Sequence, residues 1–349
     1  MSVESQQVTE RMRAAWDRRA RENACHFIAS AQESWSEEDF EHSGRESAQH
    51  HIFDDLERIA RGRDPKTMTV LEIGCGAGRM TRPLADVFGD VHAVDVSGEM
   101  IARARERLTG LDNVQLHHTD GIDLSALGDA QLDFAMSFIV FQHIPDIEVI
   151  HGYIRQVAER LRPGALFKFQ AQGSPVVETV ARDTWHGARF SALDAIHAAR
   201  ENQLRIEAFE GVGEQYFWLS MRKEPGRGLE PDEVDYALLE AESKVLNAAL
   251  TDVGGDLRDL RIWVEEHDAE LEKARADLHN LERRSEEQAR GWSDEAERLR
   301  SDLRALRDWS DDKTEELRAH IRELYSSWAY RIGRRLGLAP EPIQEKDSE

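Results

Sequence analysis

Val70 to Met80 reads VLEIGCGAGRM, an apolar strand that runs into Gly74, Gly76 and Gly78 and then into a helical stretch. Glycines at such a turn let the backbone approach a ligand closely. A nucleotide-like ligand is expected there, and two features narrow its chemistry. Glu72 precedes the first glycine by two positions, where a carboxylate repels a diphosphate but can hold an ammonium group. The third glycine also comes one residue earlier than in the G-x-G-x-x-G of dinucleotide sites. Both point away from NAD. The next apolar run ends in Asp95, about 20 residues beyond the first glycine, where a carboxylate can accept from two ribose hydroxyls.

Around this segment, short apolar runs alternate with amphipathic helical stretches, the pattern of a parallel sheet wrapped by helices. Strands are predicted at Thr69 to Ile73, Val91 to Asp95, Val114 to His118, Leu132 to Phe138 and Ala165 to Gln170. Two more, Leu204 to Phe209 and Gln215 to Met221, flank the glycine-containing Glu210 to Gly213 and should pair antiparallel at one sheet edge. The expected fold is α/β: a Rossmann-like doubly wound sheet with an antiparallel edge strand. Before it, residues 1–62 read as a helical lid in which Trp16, Phe27, Ile28, Trp35 and Phe40 can pack over the carboxyl end of the sheet.

The sheet-forming domain is expected over residues 63–223, followed by a Gly/Pro-rich linker at 224–232, KEPGRGLEP marking the change in composition. From Glu233 the chain is dominated by charged helix formers. Leu257, Leu260, Val264, His267, Leu271, Ala274, Leu278 and Leu281 recur at alternating spacings of three and four, and the seam resumes after a stutter near Trp292. A long helical coiled coil is therefore expected over 233–330, and an exposed seam of that kind favours a homo-oligomer. The basic tail at 331–349 continues the stretch LYSSWAYRIGRRLGL, whose aromatics and arginines suit peripheral contact with an anionic membrane surface.

The chain has 349 residues with 45 Lys and Arg against 68 Asp and Glu, a net charge of −23 that disfavours nucleic acid as a partner. Its two cysteines exclude a disulfide framework, and its polar start lacks the apolar core of a secretory signal. A cytoplasmic location is the expectation. His117 and His118 are strand neighbours facing opposite sides, so no metal site is expected.

Val70 to Gln170 resembles the class I S-adenosyl-L-methionine-dependent methyltransferases of the small-molecule branch. The resemblance is carried by E-x-G-x-G-x-G, an acid after the second strand, and Arg162-Pro163-Gly164 before the fifth strand. It implies a methyltransferase whose cofactor is S-adenosyl-L-methionine. Glu72, Gly74, Cys75 and Gly76 would line the methionine part, with Gly78 in the same loop and Arg79 assisting at the carboxylate. Asp95 would hold the ribose, and Val96 and Met100 would flank the adenine. Asp120 would accept from the adenine amine while the backbone of Gly121 and Ile122 addresses the ring. Phe138 lies in the segment after the fourth strand that would border the donor methyl.

The acceptor is expected to be a small molecule or a sugar of a surface glycan, with O-methylation preferred. His143, just after the fourth strand, is the candidate base, and it is equally placed to fix the loop before Ile144-Pro145. Gln142 could orient the acceptor, and Trp16, Trp185, His186 and Arg189 could contact it or simply fill space. A reading of another class is a scaffold that keeps the fold for shape and recruits partners through its helical arm. The retained acids and glycines argue against it.

Overall fold

The computed structural model describes residues 3–29, 34–174, 185, 187–226 and 232–249, together with isolated residues beyond 250. The chain divides into two compact units, Met1–Ala249 and Leu250–Glu349. In the first, seven strands form one sheet: β1 (Thr69–Ile73), β2 (Asp90–Asp95), β3 (Val114–His118), β4 (Leu132–Ser137), β5 (Leu161–Ala171), β6 (Leu204–Glu210) and β7 (Phe217–Lys223). Their order is β3-β2-β1-β4-β5-β7-β6. The first five run parallel, and β7 is antiparallel to both β5 and β6 at the far end. The sheet is therefore the Rossmann-like arrangement expected, with the reversed strand one place in from the edge. The fifth strand begins earlier than Ala165, because Leu161 already pairs with Leu132 across an irregularity before Phe134. Arg162 there reaches Asp133, which also binds Arg63 and the amide of Thr69.

The strand order reverses beside β1, so a crevice opens at the carboxyl ends of β1 and β4, where open parallel sheets bind ligands. The described residues that accompany the sheet form the helices α1 (Val3–Ile28), α2 (Glu37–His51), α3 (Leu56–Ala60), α4 (Thr81–Val87), α5 (Gly98–Arg107), α6 (Ile147–Arg160) and α7 (Ala192–Glu201). The buried residues Thr9, Met12, Ala20 and Ala24, with the half-buried Trp16 between them, recur every three or four positions along α1. This stripe packs on Ala77 and Met100, against the glycine loop and α5. Asn23 leaves helical geometry. Asp17 of α1 accepts from the hydroxyl of Ser97, the N-cap of α5, at 2.6 Å. A lid over the crevice is thus tied at a polar point as well as an apolar face.

An eighth helix, α8, covers residues 233–249. The sequence places these residues in the C-terminal helical arm; they pack instead on the sheet-bearing unit. Leu238 is fully buried in its core, Asp235 pairs with Arg200, and Glu242 pairs with Arg189 at 2.7 Å. The buried positions 235, 238 and 242 share one helical face. The break in composition at 224–232 is therefore a connection within one unit, because apolar Leu238 has a site waiting for it. In the second unit the described residues, among them Arg258, Glu272, Lys273 and Ala276, are helical and exposed. The heptad seam and the aromatic, arginine-rich tail lie outside the described residues. No helix among the described residues is long and apolar enough to cross a membrane.

Candidate functional site

The crevice contains a cavity of about 900 Å³, its open mouth included. Its floor is the glycine loop. Gly74 adopts φ +76°, and a Cβ there would run into the side chain of Val140. Only glycine lets β1 and the segment after β4 close on each other at this point. Of the residues predicted for the cofactor, Glu72, Gly74, Cys75, Gly76, Arg79, Asp95, Val96, Met100 and Phe138 all line this cavity, joined by Trp16 from the lid.

Its charged groups are buried. Glu72, 4% exposed, accepts from the Thr81 hydroxyl at 2.5 Å, and burial pushes its carboxyl up to about 7. Asp95 accepts from the amides of Gly76 and Ser97, both at 2.8 Å. Burial nevertheless raises it to about 6, outweighing those two hydrogen bonds. Burial likewise raises the Cys75 thiol, which makes it an apolar neighbour rather than a nucleophile. Arg79 donates to the carbonyl of Ser43 and the hydroxyl of Ser47 on α2, while its Nε is buried without a hydrogen-bond partner. Close packing of Gly44 on the Arg79 backbone locks α2 against this loop.

Other predicted positions fall elsewhere. Gly78 is outside the cavity and packs against Leu108 of the α5 end. Asp120 is exposed, and its Oδ1 accepts from the amides of Ile122 and Asp123. The carbonyl of Ile122 in turn accepts from Gln156 of α6. Gly121 is roofed by Thr9 and Val96. The turn after β3 therefore spends its polar groups on itself, as an Asx turn does. Thr119 and Tyr153 line the cavity in its place. The family resemblance drew attention to the turn but could not tell which of its side chains points inward.

The acceptor-side residues form a brace. Gln170 donates to Gln142 at 2.7 Å, Gln142 to His143 Nε2 at 3.2 Å, and His143 Nδ1 to the Trp185 carbonyl at 2.8 Å. That network assigns the neutral Nδ1–H tautomer. His143 and Gln142 are buried and do not line the cavity; the His143 ring stands 5.3 Å from that of Trp16, which does. The loop-fixing role of His143 is the one this geometry supports. Arg189 is held by Glu242 and by the carbonyl of Gly173, so it braces α8 rather than reaching the cavity. Trp185, 37% exposed, forms with Trp16 and Phe27 an aromatic group around the Arg19 guanidinium, 4.7 Å from the Trp16 ring and 5.2 Å from that of Trp185. His186 lies outside the described residues. Sequence reasoning missed His51, which sits between Phe138 at 4.5 Å and Trp218 at 4.8 Å and is held near 4 chiefly by burial. Its position at a helix end gave no signal. His117 faces His92 at 3.0 Å, and among the described residues no three candidate ligands gather for a metal.

Residues 70–164 match the methyltransferase domain family. The match runs from β1 to the turn inside β5. Among curated proteins, dTDP-3-amino-3,6-dideoxy-alpha-D-glucopyranose N,N-dimethyltransferase of Streptomyces fradiae is 31% identical over 32% of this chain and 49% of its own length. The dTDP-3-amino-3,4,6-trideoxy-alpha-D-glucopyranose N,N-dimethyltransferase of Streptomyces venezuelae is 26% identical over 50% of this chain and 70% of its own. The chain thus spans about half the length of the first of these relatives. A solved structure of Haemonchus contortus phosphoethanolamine N-methyltransferase 1, with phosphoethanolamine and S-adenosylhomocysteine, is 21% identical, covering 72% of this chain and 56% of that one at a TM-score of 0.49.

Proposed function

We propose that the chain binds S-adenosyl-L-methionine across the carboxyl ends of β1, β2 and β3 and transfers its methyl group to a small-molecule or sugar acceptor. The observation that carries this reading is the donor set of one cavity: two buried carboxylates, Glu72 and Asp95, with the unpartnered Nε of Arg79. Two raised acids welcome a cationic ligand, and an arginine beside them suits a ligand carboxylate. The same set opposes a pyrophosphate.

When bound, the cofactor supplies a methyl group on a cationic sulfur, and its transfer to a neutral acceptor moves that charge off the sulfur. Such a step asks for alignment and exclusion of water more than for covalent help. The chain's own residues meet both needs. Met12, Trp16 and Ile28 cover the cavity from the lid, while Asp95 and Glu72 offer lone pairs to ribose hydroxyls and an ammonium group. Both nitrogens of His143 are engaged, which favours acceptors that need no base, an amine or an acidic hydroxyl. Curated proteins similar to this chain include amino-sugar N,N-dimethyltransferases and a ubiquinone biosynthesis O-methyltransferase, so either atom fits. The aromatic group around Arg19 suits a hydroxylated ring. Self-association through the heptad seam, and peripheral membrane contact of the tail, complete the proposal from sequence spacing and composition.

Calorimetric titration of the purified chain with S-adenosylhomocysteine and with NADH tests it. Saturable heat with the first and none with the second is expected. Binding of NADH alone would overturn the cofactor assignment, and heat with neither would leave a scaffold.

A further inference from the structure

We propose that Gln170 is a positioning residue for the transfer: through the backbone amide of Ile139 it holds a strained left-handed turn that sets an apolar wall of the cavity. The inference rests on the cofactor reading above and adds a residue outside the matched methyltransferase segment, which ends at 164. Ile139 has φ +56°, and of the described non-glycine residues with positive φ it alone is β-branched. A branched side chain crowds its own backbone in that region, so the surrounding structure must hold it there.

The cavity lining shows what the turn achieves. Successive side chains of an extended chain point to opposite sides. Phe138, Ile139 and Val140 nevertheless all line the one cavity, because the left-handed residue in the middle breaks the alternation. The same turn brings Val140 onto Gly74. Strand β4 neighbours β1 on the side away from β2. The wall that follows β4 therefore stands beyond Glu72 from the ribose acid Asp95, on the side where the donor sulfur faces its acceptor.

Gln170 supplies the tether. It is fully buried near the end of β5, and its Oε1 accepts from the Ile139 amide at 3.0 Å. Its Nε2 donates to Gln142 Oε1 at 2.7 Å and to the carbonyl of Gln215 at 2.9 Å. A backbone N–H can only donate and a backbone carbonyl can only accept, so these partners fix which way the side-chain amide points. One side chain thus ties the turn after β4 to the chain entering β7. An apolar residue of similar size would fill its space but leave the Ile139 amide without an acceptor, and nothing would then oppose relaxation of the turn.

Full-length protein is titrated calorimetrically with S-adenosylhomocysteine, and its folding is followed in urea melts, for Gln170→Leu, Ile139→Gly and the double variant. Gln170→Leu should bind the ligand about 5–20-fold more weakly, the scale of losing part of one buried apolar contact surface. Glycine takes the left-handed conformation without a tether, so in the Ile139→Gly background the same change should alter affinity by less than about 2-fold. The strain has its own readout: the folding constant of Ile139→Gly should exceed that of Ile139→Ala by about 5–30-fold, the left-handed penalty of a Cβ. Should Gln170→Leu fail to fold, recovery of a folded, ligand-binding chain in the double variant supports the tether, and no recovery overturns it. Unchanged affinity in Gln170→Leu, an equal loss in both backgrounds, or glycine no more stable than alanine at 139 overturns the inference while leaving the cofactor reading intact. No heat with S-adenosylhomocysteine in the unaltered protein overturns both.

Discussion

Glu72 is where stability and binding oppose each other. Its carboxyl is raised to about 7 in the fold and that of Asp95 to about 6, both by burial, whereas unfolded carboxyls titrate near ~4. The folded chain therefore holds protons that the unfolded chain has released. The stability these groups contribute is full below their unfolded values and is lost as the pH rises through about 6 to 7. Glu72→Gln removes the larger part of that dependence and keeps an oxygen for Thr81. Its ligand-free melting temperature at pH 8 should exceed the parent's by roughly 2–8 °C, for about 1–2 kcal/mol relieved. At pH 5 the difference should shrink. S-adenosylhomocysteine affinity of the same variant should fall at pH 8, and in the parent it should rise between pH 5.5 and 8. A pH-independent affinity would show that neither acid meets the ligand.

His143 gives the second residue-scale prediction. Its two ring nitrogens join Gln142 to the Trp185 carbonyl, so His143→Ala leaves partners buried and unpaired. Stability should drop by about 1–3 kcal/mol in urea melts, with S-adenosylhomocysteine affinity unchanged. A pH–rate profile that loses an ionisation near neutrality, in a variant of normal stability, would restore His143 as a base.

At the scale of elements, the central parallel strands were legible because β1, β4 and most of β5 are apolar runs bounded by turn residues, while β3, half-exposed with its sequence VQLHH, showed mainly through its spacing from its neighbours. The glycine loop was legible for a steric reason: Gly74 at positive φ against Val140 admits no other residue. What stayed hidden depended on side-chain direction across long separations. Asp120 and Thr119 are adjacent, and only the folded turn determines which enters the cavity. Arg189 looked available for substrate because its partner, Glu242, lies 53 residues away. That ion pair also accepts the amide of Ala192 at the start of α7, so one carboxylate of α8 fixes the return of the chain at Arg189 and the first turn of a helix. Glu242→Ala should cost about 3–5 kcal/mol by leaving the arginine buried and uncompensated. The double variant Arg189→Met/Glu242→Leu should recover much of this, and chemical denaturation of the three proteins checks it.

For the whole molecule, the decisive cut falls between Ala249 and Leu250, where the two units divide, rather than at the Gly/Pro-rich connection. A chain ending at Arg222 would lose the last residue of β7 and all of α8, exposing the apolar site that Leu238 fills. Burying one leucine is worth about 1.5–3 kcal/mol, and the half-buried Arg189 and Arg200 would lose their carboxylates as well. That shorter chain should be poorly soluble or unfolded. A chain ending at Ala249 should keep the melting behaviour of the sheet-bearing unit and the S-adenosylhomocysteine affinity of the full protein, because every cavity-lining residue lies before it. Its mass by light scattering should be that of a monomer, while the full chain should assemble if the heptad spacing read from the sequence beyond 250 forms a self-association seam. Equal assembly in both would move the self-association surface onto the first unit, and a loss of ligand affinity in the 249-residue chain would mean that the second unit completes the site.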